Sequence, residues 1–223
     1  MTSTVPSAAR IFLVEDQKPL LKQLLRALGE YPELTVVDTS QDGEEAVREV
    51  TRVRPQLLLL DLELPSLDGI AVTRRLKQRI PEIEILILTS FDDEQKVFEA
   101  MRAGASGYLV KRVGPERIRG AIQEVLAGGT VVEALIAKRF WNFFQAVHAT
   151  PVEGKGDAWQ LTEVEKEVLQ LVAKGLSNVD VGSALELARR TVRTHLTHIY
   201  RKMGVNSHVD AVVLALQAGL FEP

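Results

Sequence analysis

The chain is predicted to be α/β at its start and all-α at its end: a doubly wound parallel five-stranded sheet, then a four-helix domain of helix-turn-helix type. Three observations predict this. Short apolar runs alternate with helix-length segments through the first half. The run Leu57-Leu58-Leu59-Leu60 is apolar at every position, as in a strand buried on both faces, and stops at Asp61. Residues 159–223 instead show helix-start and helix-stop signals in close succession.

The candidate strands are 11–14, 35–38, 57–60, 83–88 and 107–110. Each is followed by a helical segment, about 18–29, 43–53, 68–79, 93–103 and 115–127. This alternation implies right-handed crossovers and helices on both faces of the sheet. Gly29, Gly104 and Gly128 are expected helix ends. Residues 131–147 are compatible with one further helix carrying Phe140, Trp141, Phe143 and Phe144, more simply read as packing than as an interface. Residues 148–157, rich in Gly and polar residues, read as a linker. The domain limits are 1–128, 129–158 and 159–223. In the last unit Thr162 with Glu165 forms a capping box. Gly175 closes that helix, Ser177 and Asp180 open the second, and Gly204 closes the third. Ser207 and Asp210 open the fourth, which Gly219 ends. The short step between helices two and three is that of a helix-turn-helix.

Of the 223 residues 46% are apolar, enough for real cores. Absence of cysteine excludes disulfides and thiolate metal sites. No apolar run is long enough for a membrane span, and residues 1–10 do not read as a signal, so a cytoplasmic protein is expected. Net charge is -3 and argues for no partner. Its distribution does. Residues 1–128 hold 17 basic and 20 acidic side chains, residues 159–223 hold 7 of each, and Arg189 to Lys202 contains five basic residues and no acid. Such a stripe is either a nucleic-acid footprint or a solvated helix face.

Ligands in open α/β sheets bind beyond the carboxyl ends of the strands. There this sequence has Glu15-Asp16, Asp61, Thr89-Ser90 and Lys111. Hard oxygen ligands suit a divalent cation such as Mg2+, and a carboxylate can act as nucleophile toward phosphorus. Phosphoryl transfer needs mainly positioning and charge neutralisation, which a cation, Lys111 and the Thr89 hydroxyl would supply. No P-loop pattern occurs, so an ATPase is not expected. His195 and His198, three apart among arginines, read as packing or phosphate contacts rather than a metal pair. Two rival readings are a hydrolase turning over an aspartyl-phosphate, from the Asp61-Leu62-Glu63 spacing, and an interaction module that never meets DNA.

Residues 10–128 resemble the receiver domain of two-component response regulators. The resemblance is carried by Glu15-Asp16, by Asp61 with Leu62-Glu63-Leu64-Pro65 and Asp68-Gly69, by Thr89, and by Ala103 to Lys111. Residues 159–223 resemble the LuxR-type helix-turn-helix through Leu161-Thr162-Glu163, Glu167-Val168-Leu169, Gly175-Leu176-Ser177-Asn178, Thr191 to Leu196, Ile199 to Val205 and Ala211-Val212. This order is that of the NarL/FixJ subfamily. The resemblance implies a flavodoxin-like receiver and a regulator, not an enzyme. A sensor histidine kinase would phosphorylate Asp61. Mg2+ would be held by Glu15 or Asp16, by Asp61 and by the carbonyl of Glu63. Thr89 and Lys111 would bind phosphoryl oxygens, and Tyr108 would be the switch aromatic, turning inward as Thr89 shifts. The phosphorylated homodimer would bind double-stranded promoter DNA. Arg193, Thr194 and Thr197 would face base edges, with Arg189 and Arg190 at the helix start and Arg201 and Lys202 toward the backbone. Val192, Leu196 and Ile199 should face the core. The sequence departs from the family where Glu15 replaces a common Asp, Arg112 a common proline, and Ala188 a common serine N-cap.

Overall fold

The computed structural model describes residues 8–90, 94–132, 159–174, 176–205, 208–218 and 220. The first half forms β1 (Ala9–Val14), α1 (Lys18–Gly29), β2 (Leu34–Ser40), α2 (Gly43–Val53), β3 (Leu57–Leu60), α3 (Gly69–Arg79), β4 (Glu84–Thr89), α4 (Glu94–Ala103), β5 (Gly107–Val110) and α5 (Pro115–Leu126). All five expected strands are present and parallel, in the order β2-β1-β3-β4-β5.

Alternation along each strand splits the apolar residues between the two faces of the sheet. Phe12, Val14, Leu58, Leu60, Ile85, Ile87 and Tyr108 pack with Ala46, Val50, Val72 and Leu76 of α2 and α3 and with Val97 of α4. Ile11, Leu13, Leu57, Leu59, Leu86, Leu88 and Leu109 pack with Leu24 and Leu28 of α1 and Ile118 and Ile122 of α5. Leu57 to Leu60 are all fully buried, as an apolar run with helices on both sides requires. Local signals fix the helix starts. The Asp42 side chain accepts from the Glu45 amide, Asp68 accepts from the Ala71 amide, and Pro19 and Pro115 lie in the first turns of α1 and α5.

One expectation fails here. Val131 and Val132 do not begin a helix; they form a sixth, two-residue strand, β6, parallel to β5 at the edge of the sheet. Val131 is buried beside α5, so the sheet edge captures it before a helix can start. The rest of the expected linker helix, its aromatic cluster and the 148–157 linker lie outside the described residues, as do Gly175, Ser207 and Gly219.

The C-terminal unit comprises α6 (Glu163–Ala173), α7 (Asn178–Ala184), α8 (Arg189–Met203) and α9 (His208–Gln217). Thr162 and Ser177 cap α6 and α7 in reciprocal capping boxes with Glu165 and Asp180, and Gly204 closes α8. Val192, Leu196 and Ile199 are buried with Val168, Leu169, Val181, Met203 and Ala211 in a separate core. Among the described residues no helix is long and apolar enough to cross a membrane.

Candidate functional site: an acidic pocket at the strand ends and a partly covered basic helix

Strand register assembles the pocket. Val14 pairs with Leu60, and the Asp61 amide donates to the Val14 carbonyl at 3.0 Å, so Glu15 and Asp61 leave the sheet side by side. Thr89 pairs with Val110, and the Lys111 amide donates to the Thr89 carbonyl at 2.8 Å. Glu15, Asp16 and Asp61 each place a carboxylate oxygen within 4.8 Å of the others.

Lys111 Nζ reaches Glu15 Oε2 at 2.8 Å and Asp61 Oδ2 at 2.7 Å, with both carboxylates almost fully buried. Burial pulls the ammonium toward its neutral form, but the bonds to Asp61 and Glu15 outweigh that and hold it above its ordinary value. Burial pushes the Glu15 carboxyl up by more than its bond to Lys111 lowers it. The other Asp61 oxygen accepts from the Leu62 amide at 2.7 Å. Asp16 Oδ1 is buried with no hydrogen-bond partner. Three close carboxylates, with one buried Asp16 oxygen left without a partner, fit a hard divalent cation. The Glu63 side chain is exposed, which is compatible with a role for its carbonyl alone. Thr89 is buried at the pocket floor, and Tyr108 is already fully inside the core.

The second expected surface is α8, and the receiver covers part of it. Arg193 Nη2 lies 3.2 Å from Glu84 Oε1, and the same guanidinium donates to the Glu82 carbonyl. Ser106 Oγ donates to the other Glu84 oxygen at 2.6 Å and accepts from the Ile85 amide at 3.2 Å, fixing that carboxylate. Arg102 of α4 pairs with Asp210 of α9 at 3.2 Å. A cavity of 280 Å³ lies between the units, lined by Lys77, Glu84, Ser106, Asn178, Arg193 and Tyr200 among others.

The remaining residues of the basic stripe divide. Arg190, Thr194 and Arg201 are exposed. Thr194 and Thr197 hydroxyls donate to the carbonyls of Arg190 and Arg193 on their own helix, at 3.0 Å each. Arg189 Nε is buried without a partner, and burial beside Arg193 lowers the affinity of that guanidinium for its proton. Lys202, expected toward the DNA backbone, instead reaches Glu165 Oε2 at 2.7 Å and the Gln160 carbonyl at 3.0 Å. The sequence reading missed Glu82, Glu84 and Ser106. Glu84 had a faint signal: it is a charge inside the otherwise apolar run from Ile83 to Leu88.

Two family models match the chain in succession. The response regulator receiver domain model matches residues 11–123, and the model for bacterial regulatory proteins of the luxR family matches residues 159–215. The chain is 32% identical over 221 residues to the transcriptional regulatory protein DegU of Brevibacillus brevis, covering 94% of each chain. It is 33% identical over 215 residues to the oxygen regulatory protein NreC of Staphylococcus aureus, covering 96% of this chain and 99% of that one. Among solved structures, the response regulator ChrA of a heme-sensing two-component system superposes with a TM-score of 0.52 at 28% identity, over 96% of this chain and 100% of that one. The family is one of transcriptional response regulators with a DNA-binding domain rather than of enzymes, so the hydrolase reading falls, and the luxR-type match argues against the module that never meets DNA. The chain belongs to the NarL/FixJ subfamily of two-component response regulators, with a receiver domain followed by a LuxR-type DNA-binding domain.

Proposed function

We propose that this regulator is switched by phosphorylation of Asp61, and that closure of the receiver over α8 is its off state. The observation that carries the first part is the triad of Glu15, Asp16 and Asp61, with Lys111 bridging Glu15 and Asp61 and one buried Asp16 oxygen without a partner. An Asp61 oxygen attacks the phosphorus of a phosphohistidine on a sensor kinase. The O–P bond forms as the N–P bond breaks, giving an acyl phosphate. Glu15, Asp16, Asp61 and the Glu63 carbonyl would hold a divalent cation such as Mg2+, which would supply charge neutralisation on the phosphoryl oxygens. Lys111 exchanges its Asp61 contact for a phosphoryl oxygen, and the Thr89 hydroxyl donates to another. The Leu62 amide, already on an Asp61 oxygen, remains on the same side as a further donor.

The off state follows from charge. Arginine reads guanine through two acceptors, and here Nη2 of the Arg193 guanidinium is engaged by Glu84 and by the Glu82 carbonyl. Closure and base contact compete for one group. Once released, two copies of α8 related by a twofold axis would read half-sites about one helical turn apart, which is the reason to expect a homodimer on promoter DNA. The test is a gel shift of genomic fragments with the full chain, with and without beryllofluoride and magnesium. Tighter binding with the phosphoryl mimic, abolished in Asp61→Asn, is expected. Equal binding in all arms would overturn the proposal.

A further inference from the structure

Gly128, which ends the first domain, and the first four residues of the connection, Gly129 to Val132, form a stretch that touches both domains. Val131 and Val132 pair with Gly107 and Tyr108 as β6. Gly107 permits this closeness: a β-carbon there would lie 2.9 Å from the Val131 carbonyl oxygen. Three residues before Val131, Gly128 has a φ of +90° and is pressed against Asn178, the first residue of α7; a β-carbon at Gly128 would lie 2.4 Å from Asn178 Nδ2. Asn178 is itself buried. A short stretch is thus stitched to the strand that carries Tyr108 and packed on the helix-turn-helix.

The same stretch adjoins the arginine clasp. The Val131 amide donates to the Ser106 carbonyl at 3.4 Å, while the Ser106 hydroxyl holds Glu84 and Glu84 holds Arg193. Contacts run without a gap from β6 to the DNA-reading guanidinium.

We infer that Gly128 to Val132 is a detachable strap: paired with β5 it keeps the DNA-binding domain shut, and its release lets that domain swing away. The inference rests on the reading that the closed form is the off state. Among the described residues β6 is two residues long and pairs only with β5, and so short a ladder gains little. It therefore sits at the low-stability end of the structure, where switching elements are found. Its partners across the ladder are Gly107 and Tyr108, and Tyr108 pairs in turn with Ile87, two residues before Thr89 on β4, so movement at the pocket bears on the strap through that strand. An element with two arrangements that both sites bias is what coupling between them requires. Proximity alone shows contact rather than coupling, and the experiment measures the coupling.

The experiment compares unphosphorylated full-length wild type, Gly128→Ala and Glu84→Ala. Gly128→Ala drives a methyl into Asn178 at the start of α7 and leaves every residue of the phosphoryl pocket and of α8 in place. Small-angle scattering should show a larger radius of gyration, and affinity for a fixed pool of genomic fragments should rise on the order of tenfold, a typical coupling between sites. Glu84→Ala should open the protein by freeing Arg193. If Glu84→Ala opens the chain and Gly128→Ala behaves as wild type, the strap is wrong and the closed off state stands. If neither opens, the closed off state fails and the strap with it. Should Gly128→Ala not fold, hydrogen exchange in wild type decides. Beryllofluoride should speed exchange across residues 130–132, and unchanged exchange there while DNA affinity rises would overturn the strap.

Discussion

Lys202→Met tests whether a basic residue of α8 serves the DNA or the fold. Glu165 is 4% exposed and its Oε2 accepts from Lys202 Nζ at 2.7 Å, from the Thr162 amide at 2.7 Å and from the Thr162 hydroxyl at 3.0 Å. Removing the lysine leaves a buried carboxylate with neutral donors only. Breaking a buried pair costs about 3–5 kcal/mol. The Lys202 side chain is 35% exposed, so water reaches one partner and screens the pair. We therefore expect about 1–3 kcal/mol. For a unit of this size roughly 2 kcal/mol lowers the melting temperature by about 8–16 °C. Calorimetry of the full chain measures this on the transition of the C-terminal unit, and a cycle with Glu165→Gln isolates the pair. A phosphate contact predicts something else: little change in melting, and a salt dependence of DNA binding flattened by about 0.9 in log–log slope. That second pattern would refute the structural role given to Lys202.

Three further outcomes follow from the geometry. Burial raises the Glu165 carboxyl, but Lys202 and Thr162 outweigh it and hold it below its ordinary value; its stabilisation is therefore present above the usual carboxylate range and lost as pH falls through the lowered value. The melting temperature of the C-terminal unit should then drop more steeply on acidification in wild type than in Glu165→Gln, and parallel curves would contradict this. Lys111→Met leaves buried Glu15 and Asp61 without their shared cation; it should cost about 3–5 kcal/mol in the metal-free receiver and make melting more dependent on magnesium than in wild type, with an unchanged melt contradicting the bridge. Gly69→Ala would place a β-carbon 2.4 Å from the Asp61 carbonyl oxygen, so the Asp61–Leu62 backbone must shift; phosphate uptake from acetyl phosphate should slow by roughly tenfold to a hundredfold, and an unaltered rate would show that the loop tolerates the shift.

The sequence carried most of the receiver because its signals are local or periodic. Leu57 to Leu60 announce a two-sided strand by composition, and the carboxylate that ends the run marks the edge where the pocket forms. Thr162 and Glu165 sit three apart and cap each other, so the start of α6 was legible to the residue. What stayed hidden depends on partners distant in sequence. Val131 and Val132 are apolar and precede a helix-compatible stretch, and only the free edge of β5 makes them a strand. Lys202 lies in a basic run that resembles a DNA stripe, and only folding brings Glu165 to it from 37 residues away. Arg193 and Glu84 are 109 positions apart, in units whose docking no spacing encodes. The pocket was read because strand ends gather in every doubly wound sheet; the interface was not, because no such rule places one domain on another.

The most direct measurement of the central claim is intact mass after incubation with acetyl phosphate and magnesium. Wild type should gain a single phosphoryl group and none when the metal is chelated beforehand, and Asp61→Asn should gain none, because the amide keeps the shape of the carboxylate and removes its nucleophilic oxygen. Equal uptake by the Asn variant would contradict the assignment of Asp61 as the acceptor, and with it the account of how this regulator is switched.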